Sequence, residues 1–376
     1  MKNSVRILQV VPDMAYGGVE KIVLNYYEQL NHDDYKFDFV THGLVEDYHH
    51  NLMKQGSRIY YLKTIGKVGL RGYCEQIREQ INIDDYDIIH IHIGHITGVY
   101  GAAFHKCGAK KIICHAHTTK CVNTKHNLFM PVFRLLAKKY SDKCLACGKD
   151  AGRFCFGNLE FDLLHNGINS ERYIHISKED ITKLKNEFGI RDETFVIGNV
   201  AHFSEQKNHR FIVDVIKEYS KISSHVKFIL VGDGPLKEEM ERVVCEEGLQ
   251  ENVVFTGVRK DIPILMKMFN VFILPSLYEG LPVVSIEAQA AGIPCLISNT
   301  IDESLDIGLG LTEFLPIDQG CEKWILKLEE MRESRKEIID INKIQNALIK
   351  AGYDVTVSAQ RLSRVYDSLI GEIDEF

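Results

Sequence analysis

Short apolar runs alternate with longer amphipathic stretches along this chain, and that alternation limits the fold more than any other feature of the sequence. In the first part of the chain, strands are predicted at 5–11, 36–42, 58–62, 87–93, 110–117 and 143–148. The stretches between them have the apolar spacing of helices, at 18–31, 47–55, 71–81, 96–106 and 127–140. Strands that alternate with helices favour a parallel sheet covered by helices on both faces.

A second series of the same kind follows the polar, charged stretch 169–194. Its strands are predicted at 194–200, 226–232, 253–257, 271–275 and 293–298, and its helices at 207–223, 235–247, 261–268 and 282–291. We therefore predict two doubly wound α/β domains, 1–168 and 190–350, with a helix in 351–376 that packs back on the first domain. Such a layout directs the carboxyl ends of both sheets towards a cleft, where ligands bind.

Composition and charge exclude several classes of protein. The chain has 376 residues and a net charge of −7, which argues against nucleic acid as a partner. No apolar run reaches the ~18 residues of a membrane span. The ten cysteines lack the spacing of a disulfide framework, as expected in a reducing cytoplasm. We predict a cytoplasmic location.

The stretch PSLYEGLPVVSIEAQAAG (275–292) places two acids around a strand-to-helix turn. The amides of Gly280, Leu281 and the following helix start lack intrahelical partners, and Pro282 suits the first helical position. Free amides and the helix dipole predict a phosphate site. A carboxylate accepts hydroxyl hydrogen bonds, so Glu279 is expected to bind a sugar and Glu287 a ribose. The alternative for Glu287 is a role on the helix surface.

This stretch resembles the two-glutamate signature of the family-4 retaining glycosyltransferases, which have the GT-B architecture of two Rossmann-like domains. Further segments are similar to that family: YGGVEKIVLNYYEQL (16–30), HNGIN (165–169), GNVAHFSEQKNHRFIVDV (198–215), ILVGDGPLKEEME (229–241) and VVFTGVRKDIPILM (253–266). The resemblance implies sugar transfer with retention from a UDP-sugar, or a GDP-sugar, to a glycan or a lipid-linked acceptor of surface polysaccharide synthesis. It also implies that no metal or other cofactor is needed.

The same resemblance assigns roles to single residues. Lys207 is expected to bind the donor diphosphate and His117 the transferred sugar, so Glu279, Lys207 and His117 are the predicted catalytic residues. His202, also predicted to bind the donor, stands where the family usually carries an arginine; either the diphosphate holds it protonated, or the clamp relies on Lys207 and backbone amides. The remaining positions predicted to lie along the donor are Gly17, Gly18, Gly232, Asp233 and Arg259, of which Arg259 is equally well explained as a surface residue.

Three open alternatives remain. The histidines of HIHIGH (90–95) suggest a metal, but no carboxylate accompanies them, and we predict no metal site. The basic segment FRLLAKKYSDK (133–143) is amphipathic, and in related transferases such a helix rests on an anionic membrane; a solvated helix face is the other interpretation. The rivals to transfer are a sugar-nucleotide-binding subunit without turnover and a GT-B hydrolase or epimerase.

Overall fold

Two units make up the chain in a computed structural model, which describes residues 4–12, 18–43, 52–54, 56–121, 124–223, 225–334 and 339–371. The first unit comprises residues 1–167 together with 355–376, and the second comprises residues 168–354. Each is an α/β unit built on a parallel sheet, so the predicted fold class is confirmed. No helix within the described ranges is both long and apolar enough to cross a bilayer.

The first unit contains a seven-stranded sheet of order β3-β2-β1-β4-β5-β6-β7, in which every pairing is parallel. The strands are β1 Val5–Val10, β2 Tyr35–Thr41, β3 Ile59–Tyr61, β4 Ile88–Ile91, β5 Ile112–Ala116, β6 Lys143–Ala146 and β7 Asp162–Leu163. Its helices are Gly18–Gln29, Ile65–Gln80, Thr97–Lys106, Thr124–Tyr140, Lys149–Phe156 and Val355–Leu369, with single 3₁₀ turns at Ile83–Asp85 and Gly94–Ile96. The strand sequences are nearly continuous apolar runs because helices cover both faces of the sheet.

Two helices of this unit approach each other closely at Gly98. A Cβ atom on that residue would lie 2.3 Å from the backbone nitrogen of Ala137, so only glycine fits. The contact brings Thr97–Lys106 against Thr124–Tyr140 and fixes the second helix beside the carboxyl edge of the sheet.

The second unit contains a six-stranded parallel sheet of order β10-β9-β8-β11-β12-β13. The strands are β8 Phe195–Val200, β9 Val226–Val231, β10 Val253–Gly257, β11 Val271–Leu274, β12 Cys295–Ser298 and β13 Thr312–Leu315. Its helices are Glu171–Ile174, Lys178–Glu187, His209–Ile222, Lys237–Glu246, Ile262–Met268, Val283–Ala290, Glu322–Glu333 and Ile341–Ala351, with 3₁₀ turns at Glu205–Lys207, Gln250–Asn252 and Glu303–Leu305.

Successive residues of the second sheet supply two apolar cores. Phe228 and Leu230 belong to one core, whereas Ile229 and Val231 belong to the other, because neighbouring side chains of a strand point to opposite faces. The direction of strand order reverses between β8 and β11, the position at which sheets of this type bind ligands at their carboxyl ends.

The unit boundaries differ from those predicted. The second unit begins at Ile168 rather than at 190, and ends at Asp354 rather than at 350. Tyr173, Leu184 and Ile190, from the stretch interpreted as a polar connection, are buried in its core. Most of the predicted helix 47–55 lies outside the described residues. Strands β7 and β13 were not predicted, since both are short and only partly buried.

The helix Val355–Leu369 belongs to the first unit. Its Tyr366 hydroxyl accepts a hydrogen bond from Gln9 of β1 at 3.1 Å, and the hydroxyl of Tyr35 donates to Asp367 at 2.7 Å. Tyr366 is fully buried, so this helix forms part of the core of the first unit.

Candidate functional site

Two loops meet at the strand-order reversal of the second sheet. One follows β8 and includes the turn Glu205–Lys207, and the other follows β11. The amide of Leu277 donates to the carbonyl of Gln206 at 2.8 Å, and the side chain of Asn208 donates to the carbonyl of Pro275 at 3.1 Å. Asn208 adopts a left-handed backbone with φ of 56°. These bonds hold both loops in one fixed arrangement at the carboxyl edge of the sheet.

This arrangement brings together Lys207 and Glu279, which lie 72 positions apart. The Nζ of Lys207 donates to Oε1 of Glu279 at 2.5 Å, and the side chain of Gln206 donates to Oε2 of Glu279 at 3.1 Å. The side chains of Lys207 and Glu279 are 19% and 7% exposed. We expected each to contact a donor sugar nucleotide; in the structure each contacts the other. The position of Gln206 was not singled out in the sequence.

A helix begins just after Glu279. It starts at Val283, and Pro282 is its N-cap residue with ψ of 95°, so the prediction that Pro282 is the first helical residue is wrong by one position. Both the amide and the hydroxyl of Ser285 donate to the carbonyl of Pro282. Gly280 and Leu281 are partly exposed directly before the helix, whose first amides lack intrahelical acceptors. Their proposed role in anion binding stays a prediction.

Glu287 is buried inside this unit. Only 4% of the residue is exposed, so the alternative that it lies on a helix surface is wrong. The Tyr173 hydroxyl is hydrogen-bonded to the Glu287 carboxylate, and burial together with this carboxylate raises the pKa of Tyr173 well above its ordinary value. Tyr173 comes from the stretch interpreted as a connection, and for that reason its role was not predicted.

The loop after β9 joins the same edge of the sheet. Gly232 has φ of 137°, and a Cβ atom there would lie 2.1 Å from the carbonyl oxygen of Ala201. The amide of Phe203 donates to the carbonyl of Asp233 at 2.9 Å. The side chains of Asp233 and His202 are exposed at this edge. Glycine at 232 is therefore required by the close approach of two loops.

Arg259, predicted as a possible donor contact, is engaged within its own unit. Its guanidinium donates to Asp261 at 2.6 Å and to Glu187 at 2.7 Å. These hydrogen bonds raise the pKa of Arg259. The surface interpretation accounts for all of these contacts, so a role in donor binding would require both carboxylates to release it.

In the first unit, Gly17 lies outside the described residues, and Gly18 is the first residue of the helix Gly18–Gln29. His117 directly follows β5. It belongs to a set of rings that we term the histidine chain, formed by the buried His90, His92 and His115 and the half-buried His117.

Hydrogen bonds link the members of the histidine chain in pairs. His92 and His117 are joined at 2.9 Å and His90 and His115 at 3.2 Å. Gln9 accepts from His92 at 2.9 Å, and the Tyr366 hydroxyl contacts His90 at 2.9 Å.

Burial keeps the histidine chain neutral. It lowers the pKa of His117 to about 4, and that of the other three well below 6.5, because a buried imidazolium loses its hydration. Neighbouring histidines add to the effect in those three, whereas Asn166 opposes it at His117. His117 is therefore held as a neutral ring at the carboxyl edge of the first sheet.

The two doubly wound parallel sheets, with the Lys207–Glu279 pair at the strand-order reversal of the second, define an α/β protein of the GT-B class. A sequence profile described as "Glycosyl transferases group 1" matches residues 180–307. A Bacillus subtilis protein named "Putative glycosyltransferase EpsF" is 33% identical over 375 residues, which cover 96% of each chain. The chain belongs to the group 1 glycosyltransferases, and the predicted family resemblance is confirmed.

Two other proteins extend the comparison. The UDP-Gal:alpha-D-GlcNAc-diphosphoundecaprenol alpha-1,3-galactosyltransferase of Escherichia coli is 23% identical, with 98% of each chain covered. The crystal structure of Anabaena HepE in complex with UDP and glucose superposes with a TM-score of 0.78 at 19% identity, covering 97% of this chain and 100% of HepE. This second likeness supports the fold.

Proposed function

We propose that the protein transfers a sugar from a UDP-sugar to a hydroxyl of a glycan or lipid-linked acceptor, with retention of anomeric configuration. The observation that carries the proposal is the Lys207–Glu279 pair, placed where the second sheet reverses its strand order and directly before a helix start. The UDP-bound HepE structure and the diphosphoundecaprenol acceptor in the name of the Escherichia coli relative support this choice of donor and acceptor.

In the proposed reaction, negative charge builds on the diphosphate as the anomeric bond breaks. Lys207 and the amides at 280–282 stabilise that charge, in the manner of pre-organised electrostatic catalysis. Glu279 binds hydroxyls of the donor sugar and Glu287 those of the ribose. Glu287 is bonded to Tyr173, so Tyr173 orients this carboxylate. The protein supplies the positive partner of the diphosphate, and the proposed chemistry needs no divalent metal.

The test is nucleotide release from UDP-glucose, UDP-galactose, UDP-N-acetylglucosamine and GDP-mannose, each with and without undecaprenyl-diphosphate sugars. We expect UDP release that depends on the acceptor and is lost in Glu279→Ala. NMR of the product reports the anomeric configuration. Inversion would contradict the proposed retention, and preference for GDP-mannose would contradict the proposed donor.

The two rival functions predict different results in the same assay. A hydrolase or epimerase would consume the donor equally well without acceptor. A binding subunit would show a thermal shift with UDP-sugars but no release with any acceptor. The exposed His202 favours the binding subunit, since it stands where the family usually carries a positively charged arginine.

We also propose that the first unit rests on an anionic membrane surface through the helix Thr124–Tyr140. The apolar side chains of Leu128, Phe129, Val132 and Leu135 are all exposed on it, and Lys138 and Lys139 are exposed near its end. Residues 128, 132, 135 and 139 share one helix face. An exposed apolar stripe beside lysines has the chemistry of an interfacial helix, and it would bring the protein to a lipid-linked acceptor at the inner face of a membrane.

A further inference from the structure

Two imidazoles and one thiol converge near the carboxyl edge of the first sheet. The Nε2 of His95 lies 2.9 Å from Nδ1 of His126 and 3.2 Å from Sγ of Cys121, and all three atoms lie within 4.8 Å of one another. We term this set the Cys–His cluster. It draws on three segments: the 3₁₀ turn Gly94–Ile96, the loop after β5, and the first turns of the helix Thr124–Tyr140.

Hydrogen bonding explains this convergence poorly. A ring nitrogen of a neutral imidazole is either a donor with one proton or an acceptor with one lone pair. Nε2 of His95 nevertheless faces two partners, both of which can offer lone pairs. A metal ion replaces the shared proton and accepts all three lone pairs at once.

The distances also suit a metal. Zinc binds imidazole nitrogen at about 2.0 Å and thiolate sulfur at about 2.3 Å, and tetrahedral angles then separate the ligand atoms by about 3.3–3.6 Å. The two observed separations, 2.9 and 3.2 Å, reach these values when each lengthens by about 0.4 Å. Thiolate with imidazole is a ligand set that selects zinc over magnesium or calcium.

The histidine chain provides a contrast. His90, His92 and His115 also lie within 4.8 Å of one another. Five of their six ring nitrogens, however, are bonded to Gln9, Tyr366, His117 and each other, and Nε2 of His115 alone among them has no hydrogen-bond partner. A metal there would have to break a connected network inside a fully buried core, so we assign no metal to it.

We infer that His95, Cys121 and His126 form a zinc site, with the fourth position open to water or another ligand. The rings of Phe133 and Phe154 lie 5.9 and 6.3 Å from that of His95 and provide an apolar wall. The ion would fasten the start of the helix Thr124–Tyr140 to the loop after β5. These residues belong to the first unit and the Lys207–Glu279 pair to the second, and the inference does not depend on the proposed function.

The first test is zinc stoichiometry of the full chain, prepared without a histidine tag. After equilibration with zinc and desalting, we expect about one equivalent in the wild type and in the control His105→Ala, which removes an exposed histidine. Cys121→Ala and His126→Ala should each retain less than about 0.2 equivalents, because structural zinc needs its deprotonated ligands. Circular dichroism verifies that each variant is folded.

The second test follows cysteine alkylation peptide by peptide. Saturating zinc should slow alkylation of Cys121 at least about tenfold, since a bound thiolate is protected, and should leave the exposed Cys245 unchanged. Cobalt should give a thiolate charge-transfer band that is absent in Cys121→Ala. No retained zinc in the wild type, or equal retention in Cys121→Ala, would overturn the assignment and leave a hydrogen-bonded cluster only.

Discussion

Replacing Glu279 by glutamine should make the protein bind UDP more tightly. In the proposed site Lys207 must leave Glu279 before it can contact a diphosphate. The bond it gives up is charge-assisted, with a net value of about 1.5–3 kcal/mol. Because the Lys207 side chain is 19% exposed and therefore partly screened, we take the lower end of that range. A gain of about 1.4 kcal/mol corresponds to about tenfold in Kd.

The assay is isothermal titration calorimetry with UDP rather than a UDP-sugar, since Glu279 is also proposed to bind the sugar. Lys207→Met should weaken UDP binding at least about tenfold. Glu205→Gln is the matched control: it removes a carboxylate from the same turn, but one that is exposed and paired with Arg210 at 2.6 Å. Its UDP affinity should stay within about twofold of the wild type. Unchanged or weaker UDP binding in Glu279→Gln would refute the reasoning.

Three further predictions concern other parts of the molecule. Gly232→Ala should lower the free energy of unfolding by at least about 2 kcal/mol, measured by urea denaturation, because its Cβ would lie 2.1 Å from a carbonyl oxygen. The control is Gly189→Ala, whose Cβ meets nothing within 4 Å and which should lower that free energy by about 1 kcal/mol. Leu128→Ser should reduce flotation with anionic vesicles at least about threefold, whereas Leu326→Ser, which removes an exposed leucine from the second unit, should not. Equal effects of the two variants would exclude the proposed membrane face. The histidine chain is neutral in the folded state because its pKa values are lowered, so its contribution to the free energy of unfolding is present above pH 6.5 and is lost as the pH falls towards about 4. His117→Asn should reduce the pH dependence of that free energy, measured by urea denaturation, by about 1.4 kcal/mol per pH unit. An unchanged slope would contradict the lowered pKa of His117.

Eleven of the thirteen strands in the described residues could be predicted, because buried parallel strands are continuous apolar runs bounded by polar turns. The predicted boundaries of these strands differ from the observed ones by at most two residues. The short helix Lys178–Glu187 was missed because its sequence is mostly charged and only Leu184 is buried. Local composition indicated a linker there, whereas a few apolar side chains were enough to join the segment to the core.

The sequence singled out Lys207 and Glu279 as site residues but did not predict the contact between them. The turn at 279–282 carries its own local signal, since an acid, a glycine and a proline stand before a helix. The pairing of Lys207 with Glu279 depends on two loops that tertiary structure brings together. The same holds for Tyr173 and Glu287, and for Cys121, whose histidine partners belong to separate segments.

The helix Val355–Leu369 has a consequence for how the protein is made. It supplies Tyr366 to the core of the first unit, yet the ribosome synthesises it only after all of residues 168–354. During translation the second unit can therefore fold while the first unit still exposes the apolar surface that this helix later covers. We expect nascent chains arrested before residue 355 to be recognised by chaperones through that exposed surface.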